Sequence, residues 1–196
     1  VGECWMRVIA GTHKGRPFAA PSGRDTRPTT DRVREAIFSA VISELDTLEE
    51  VRVCDAFAGS GAFGIESISR GAEHVAFFER DKKTALLVKN NLKTLDMDNK
   101  GTVSSCDTLK SPAIIAGQGP FNLLFLDPPY KISSGEIANF LMHLRDAGAL
   151  SNRAMVVYEH AAHTEVEPIA AEFSVIKEKK YGDTLVSYFR YNEASV

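Results

Sequence analysis

The chain has 196 residues, 44 % of them hydrophobic, and a formal net charge of −3, which suits one globular domain with a real core and is short for two. No apolar run approaches the ~20 residues of a membrane span and the first residues lack a signal-peptide layout, so a cytoplasmic protein with no membrane partner is expected. Cys4, Cys54 and Cys106 are widely spaced with no CxxC, which points to neither a disulfide framework nor a metal site.

The charge is unevenly spread. From Arg7 to Arg34 seven basic residues (Arg7, Lys14, Arg16, Arg24, Arg27, Arg32 and Arg34) meet only Asp25 and Asp31, a local +5 on an otherwise acidic chain. A basic arm on an acidic body suits a polyanionic partner, and a solvated charged surface is the alternative from charge alone. Within the arm, MRVIAGTHKGRPFAAPSG is cut by Gly11, Gly15 and Pro17 into short apolar pieces, which predicts a small β-hairpin. RDTRPTT then leads into a helix. Thr29, Thr30 and Asp31 are all N-cap types, and Val33, Ile37, Ala40 and Val41 follow at helical spacing. Residues 1–28 are therefore expected to form a basic hairpin extension and loop, and residues 29–196 the main domain.

After an acidic break at LDTLEE the pattern alternates. VRVCDAF, HVAFFE, GTVSSCD, FNLLFLD and AMVVYE read as short strands, with helical stretches such as 65–70 and 83–95 between them. In the second of these Ala85, Val88, Leu92 and Leu95 share one face, which should pack on a sheet. Strand–helix alternation at this spacing means a mostly parallel α/β sheet with right-handed crossovers. Near the end, FSVIKEKKYGDTLVSYFRY places two β-rich runs around KKYGD with no helix between them. The sheet's last pair should therefore be antiparallel, with Gly182 and Asp183 near the turn.

Open α/β sheets bind ligands outside the carboxyl ends of their strands. The predicted strand ends carry acids there, among them Asp55, Glu79, Asp107 and Asp127. The first strand runs into DAFAGSGAFG, in which Gly59, Gly61 and Gly64 form GxGxxG between strand and helix, a turn that lets a ligand lie against bare backbone. That pattern also serves dinucleotide enzymes. Asp55, four residues before Gly59, would repel a pyrophosphate but suits a cationic amino group. Glu79, twenty residues after Gly59, can accept from ribose hydroxyls, and Asp107 from an exocyclic adenine amine. An ammonium, a ribose diol and an adenine without phosphate describe S-adenosylmethionine better than NAD, while each acid alone also has an ordinary reading as a turn or capping residue. Glu159, His160 and His163 in YEHAAH have a metal-like look, but without a third convincing ligand they read as surface or site-rim residues.

With these features the chain resembles a class I S-adenosylmethionine-dependent methyltransferase. LDPPYK, at the end of the fourth strand, matches the Asp/Asn-Pro-Pro-aromatic motif of members that methylate amines. RPTTDRVREAIF, DAFAGSGAFGIESISRGA, FFERD, LDPPY and the late YGDT together resemble the bacterial small-subunit rRNA guanine-N2-methyltransferases of the RsmD type, over about 6–191. VGECW, before Met6, matches nothing in that family and reads as a foreign or misread start. The resemblance implies a Rossmann-like seven-stranded sheet in order 3-2-1-4-5-7-6 with helices on both faces, and the hairpin as an RNA-facing extension. It implies methyl transfer to the N2 amine of one guanine of 16S rRNA, within the small ribosomal subunit or its assembly intermediate. It also implies S-adenosyl-L-methionine as cofactor, S-adenosyl-L-homocysteine as product, and a monomer. Asp55, Phe57, Gly59, Ser60, Gly61, Glu79, Arg80, Asp107 and Thr108 would hold the cofactor. Thr30 would border its methionine end, with helix capping an equal alternative.

Asp127, Pro128, Pro129 and Tyr130 are the expected catalytic residues. A purine amine is a poor nucleophile because its lone pair is delocalised, so acceptors must hold its N–H bonds while nitrogen pyramidalises. The Asp127 carboxylate and the Pro128 carbonyl can do so, with Tyr130 as a stacking platform for an extruded base. Lys14, Arg16, Arg24, Arg27, Arg32 and Arg34 are the expected phosphate contacts. A DNA adenine-N6 methyltransferase would use DPPY equally well, but the chain leaves no room for a separate target-recognition domain. A non-catalytic RNA- or S-adenosylmethionine-binding module is the third reading, and the intact motifs count against it.

Overall fold

The computed structural model describes residues 4–21, 30–164 and 170–193. The predicted hairpin is present as β1 (Cys4–Arg7) and β2 (Pro17–Ala20), paired antiparallel with Met6 opposite Phe18. Cys4 and Trp5, inside the segment that matched nothing, extend that pairing to Ala20 and Ala19. Helix α1 (Asp31–Leu45) follows. Its N-cap is Thr30, whose hydroxyl accepts from the Val33 N–H at 3.4 Å, and the buried Ile37, Phe38 and Val41 form its inner face.

The remaining elements alternate as the pattern requires: β3 (Arg52–Asp55), α2 (Ala62–Ser69), β4 (His74–Glu79), α3 (Lys82–Thr94), β5 (Gly101–Ser105), a 3₁₀ turn (Thr108–Lys110), α4 (Pro112–Ala116), β6 (Phe121–Leu126), α5 (Ser134–Asp146), β7 (Leu150–Ala161), β8 (Phe173–Tyr181) and β9 (Thr184–Tyr191). The sheet order is β5-β4-β3-β6-β7-β9-β8. Counted from its own first strand this is 3-2-1-4-5-7-6, the order implied by the resemblance. β3 to β7 pair in parallel, while β9 runs antiparallel to both β7 and β8. The β8–β9 connection is two residues, Gly182 and Asp183, with Gly182 at φ 62° as a tight hairpin turn needs.

Alternation along the strands divides the core into two layers. Val53, Val75, Phe77, Leu123, Phe125, Met155 and Val157 pack on the side of α1, α2, α3 and the hairpin. Cys54, Ala76, Phe78, Leu124, Leu126, Val156 and Tyr158 pack on the side of α4 and α5. Both faces of the parallel strands are covered, which is why those strands read as near-continuous apolar runs. The hairpin is no loose arm: Val8 and Phe18, each 1 % exposed, belong to the first layer. At roughly 1.5–3 kcal/mol per fully buried large apolar side chain, those two residues fasten the extension to the body.

Polar ties reinforce the attachment. The buried Glu66 carboxylate of α2 accepts from the N–H groups of Ile9 (2.8 Å) and Ala10 (2.9 Å) and from Arg70 Nε (2.7 Å). The Asn91 side-chain amide of α3 exchanges two hydrogen bonds with the Ala19 backbone, at 3.0 and 2.8 Å. This arrangement places one edge of the hairpin against the glycine turn, where Ser60 Oγ contacts Met6 Sδ at 3.4 Å.

Candidate active site

The carboxyl ends of β3 to β7 lie along one edge of the sheet. Asp55 ends β3, 3 % exposed, and its Oδ2 accepts from the Gly64 N–H in the first turn of α2 at 3.0 Å. Burial raises its pKa to about 7 against the opposing Gly64 hydrogen bond, and the Glu79 carboxylate adds to the rise. Asp55 thus anchors the start of α2 with one oxygen.

Glu79, ending β4, accepts from the Gly59 N–H at 3.0 Å and the Asp81 N–H at 2.8 Å, each oxygen keeping a further lone pair for hydroxyl donors. The glycines of the turn have distinct tasks. Gly59 is left-handed at φ 51°, and a Cβ there would meet only Phe57 O, at 4.0 Å, so it would stand in the crevice. Gly64 has no such freedom to offer: a Cβ there would lie 2.1 Å from Phe77 Cε1, so its bareness serves helix-on-sheet packing. An open backbone turn flanked by Asp55 and Glu79, with Asp107 leading the 3₁₀ turn, fits the sulfonium-bearing nucleoside that the sequence suggests.

The other expected cofactor residues fall unevenly around this crevice. Phe57 is half-buried and packs against the second core layer, and Arg80 is exposed. Ser60 is half-buried, its hydroxyl turned to Met6. Thr108 is buried and donates its hydroxyl to the Ala56 carbonyl, so its side chain braces the β3 loop and does not line open space. Thr30 is exposed and serves as the α1 cap.

Past β6, Asp127 and Pro129 are exposed, Pro128 is buried, and the Tyr130 ring is 69 % exposed. Asp127 is reached by water yet closely crowded by protein. The crowding, together with the carboxylates of Glu159 and Asp55, raises its pKa above the usual carboxylate range. Pro128, Pro129 and Tyr130 line a small recess with Ile132, Tyr158, Glu159, His160, Ala161 and Thr164. A flat ring beside a carboxylate is what an extruded base requires.

His160 is buried, with Nε2 2.9 Å from Ser187 Oγ and its ring 4.7 Å from that of Tyr158. Burial lowers its pKa, which favours the neutral ring. The rim reading of YEHAAH therefore understated Glu159 and His160, which form a wall of the recess. One signal was available, since Glu159 is the acid at the end of AMVVYE, the fifth strand. Glu66 was missed as well, because its hairpin partners lie more than fifty residues away.

The basic arm requires a correction. Arg34 is fully buried, its Nη2 donating to the Arg7 carbonyl (2.6 Å) and to Asp31 (3.2 Å), with its guanidinium 6.0 Å from the Phe18 ring centroid. It cannot meet a phosphate, because it ties α1 to the hairpin. Arg16 is half-exposed but already donates to the carbonyls of Thr94 (2.6 Å) and Leu95 (3.0 Å) at the end of α3. Lys14 and Arg32 are exposed, whereas Arg24 and Arg27 lie outside the described residues. Among the described residues no group of acids, histidines and cysteines is arranged to hold a metal ion, and no helix is long and apolar enough to cross a membrane.

Comparison with known proteins adds to this geometry. A family model described as conserved hypothetical protein 95 matches residues 6–190. The chain is 37 % identical to YlbH of Bacillus subtilis (strain 168) over 94 % of its own length and 98 % of the relative's. It is 32 % identical to ribosomal RNA small subunit methyltransferase D of Escherichia coli (strain K12), over 97 % and 91 %. The solved structure of yhhF from Escherichia coli superposes with a TM-score of 0.84 at 28 % identity, covering 97 % of this chain and all of that one.

Proposed function

Because the chain belongs to the conserved hypothetical protein 95 family, that of ribosomal RNA small subunit methyltransferase D, we propose that it methylates the exocyclic N2 amine of a guanine in 16S rRNA. The substrate is the rRNA within the small subunit or an assembly intermediate of it. The observation that carries this reading is the Asp127–Tyr130 segment at the end of β6, whose prolines and tyrosine line a recess at the sheet edge that also carries the glycine turn.

When bound, S-adenosylmethionine supplies an electrophilic methyl group on sulfonium and leaves as S-adenosylhomocysteine. Glu79 and Asp107 are the acceptors for its ribose and adenine, with Gly59 giving backbone access. Asp127 and the Pro128 carbonyl accept the N–H bonds of the amine, turning its lone pair out of the ring plane towards the methyl group. Proline carbonyls suit this task because the Pro-Pro pair fixes the turn. Positioning dominates the rate in such an in-line transfer. As positive charge grows on nitrogen, Asp127 stabilises it and can take the departing proton, a role helped by its raised pKa. Tyr130 stacks on the extruded base, worth about 1–3 kcal/mol. Lys14 and Arg32 contact backbone phosphates and set register, and residues 1–28 form the RNA-facing extension.

The test is incubation with tritiated S-adenosylmethionine and small subunits from a strain lacking the enzyme, followed by nucleoside analysis. N2-methylguanosine is expected; N6-methyladenosine or no transfer overturns the reading. Asp127→Ala should keep cofactor affinity and lose most turnover, and undiminished turnover would remove Asp127 from the chemistry.

A further inference from the structure

Strand pairing sets Leu126 beside Tyr158 on adjacent parallel strands. Asp127 and Glu159 each follow one residue later, so they leave level positions on neighbouring strands about 4.8 Å apart. Glu159 falls on the alternation of Met155 and Val157, stands opposite Val186 of β9, and lines the recess that Tyr130 borders. Its charge is also felt at Asp127. The register therefore sets two carboxyl groups on neighbouring strand ends, next to an aromatic face.

The Watson–Crick edges of the two purines answer this differently. Guanine presents adjacent donors, N1–H and the N2 amine; adenine presents a lone pair at N1 beside its N6 amine. A carboxylate next to the one that holds the amine attracts the guanine edge and repels the adenine N1 lone pair. We infer that Glu159 is the specificity-determining residue: its carboxylate accepts the guanine N1–H while Asp127 accepts an N–H of N2. DPPY alone serves either purine, so discrimination must come from a neighbour, and Glu159 is the acid whose strand register brings it level with Asp127. The inference rests on the guanine-N2 reading and deepens it.

The test uses small-subunit rRNA carrying, at the modified nucleotide, either guanine or 2-aminopurine, which keeps the N2 amine but has a lone pair at N1. Transfer of tritiated methyl is measured with the wild type and Glu159→Gln, whose side-chain amide can donate to that lone pair. Wild type should prefer guanine by roughly tenfold to a hundredfold in kcat/KM, the discrimination expected of a base-edge hydrogen bond. In Glu159→Gln the preference should collapse to within about threefold, with 2-aminopurine turnover rising in absolute terms. The fluorescence rise of 2-aminopurine on unstacking separates loss of extrusion from loss of selection.

An equal fall on both substrates marks a structural role and overturns the inference, as does a preference that survives the substitution, which would place recognition at O6. Should Glu159→Gln not fold, Glu159→Asp takes its place in the same comparison, and equal turnover of guanine and 2-aminopurine by the wild type refutes the assignment. Absence of any N2 methylation by the wild type fails the proposed function instead, so the two failures are distinguishable.

Discussion

Replacing Asp55 by asparagine should flatten the pH dependence of stability, and the size of the effect follows from its burial. The carboxyl keeps its proton to about pH 7 in the fold, against an ordinary value of 3.8, so the folded state binds more protons than the unfolded state between those values. Stability contributed at this position is thus highest at low pH and falls as pH rises through the window. Integrated from about pH 5 to about pH 8, the loss is on the order of 2 to 3 kcal/mol. Asparagine cannot ionise, yet its carbonyl oxygen can still accept the Gly64 N–H that Asp55 now accepts. Urea unfolding of the ligand-free wild type and Asp55→Asn across that range should give free energies that diverge by this amount, the variant gaining relative stability as pH rises. Parallel profiles would show that Asp55 ionises without penalty, and the account of its burial would be wrong.

Arg34→Met should destabilise the fold by about 1–3 kcal/mol in the same unfolding assay, since it strands the Arg7 carbonyl, and should leave the salt dependence of rRNA binding unchanged. Lys14→Glu with Arg32→Glu should do the reverse, weakening rRNA binding and flattening its salt dependence while sparing cofactor affinity and stability; filter binding across ionic strength measures it. Gly64→Ala should lower the denaturation midpoint by an amount equivalent to about 1–3 kcal/mol or more, because the new methyl group meets the Phe77 ring. Arg16→Ala should cost about 1–3 kcal/mol by uncapping the end of α3, with calorimetry as the readout.

Sequence alone determined what depends on neighbours along the chain. Apolar periodicity set the strands and helices, the lack of a helix around KKYGD set the antiparallel pair, and GxGxxG after a strand marked the crevice. Acids at strand ends and DPPY named a small set of candidate positions for the chemistry, and the resemblance supplied the strand order and the proposed purine. Charge along the chain was a poorer guide, because it does not reveal which way a side chain turns. Arg34 follows the helix N-cap like any surface arginine, yet the hairpin folds over it and consumes it as a buried tie. Arg16 looks available until the end of α3, about eighty residues later, presents bare carbonyls to it.

Tertiary structure decided those cases, and it decided the neighbourhood of Asp127. Glu159 lies thirty-two residues downstream, where an acid beside two histidines reads as rim. Only the parallel register of β6 and β7 makes it level with Asp127 and turns an isolated acid into one wall of the recess beside Tyr130. Register is set by packing on both faces of the sheet, and no local spacing carries it.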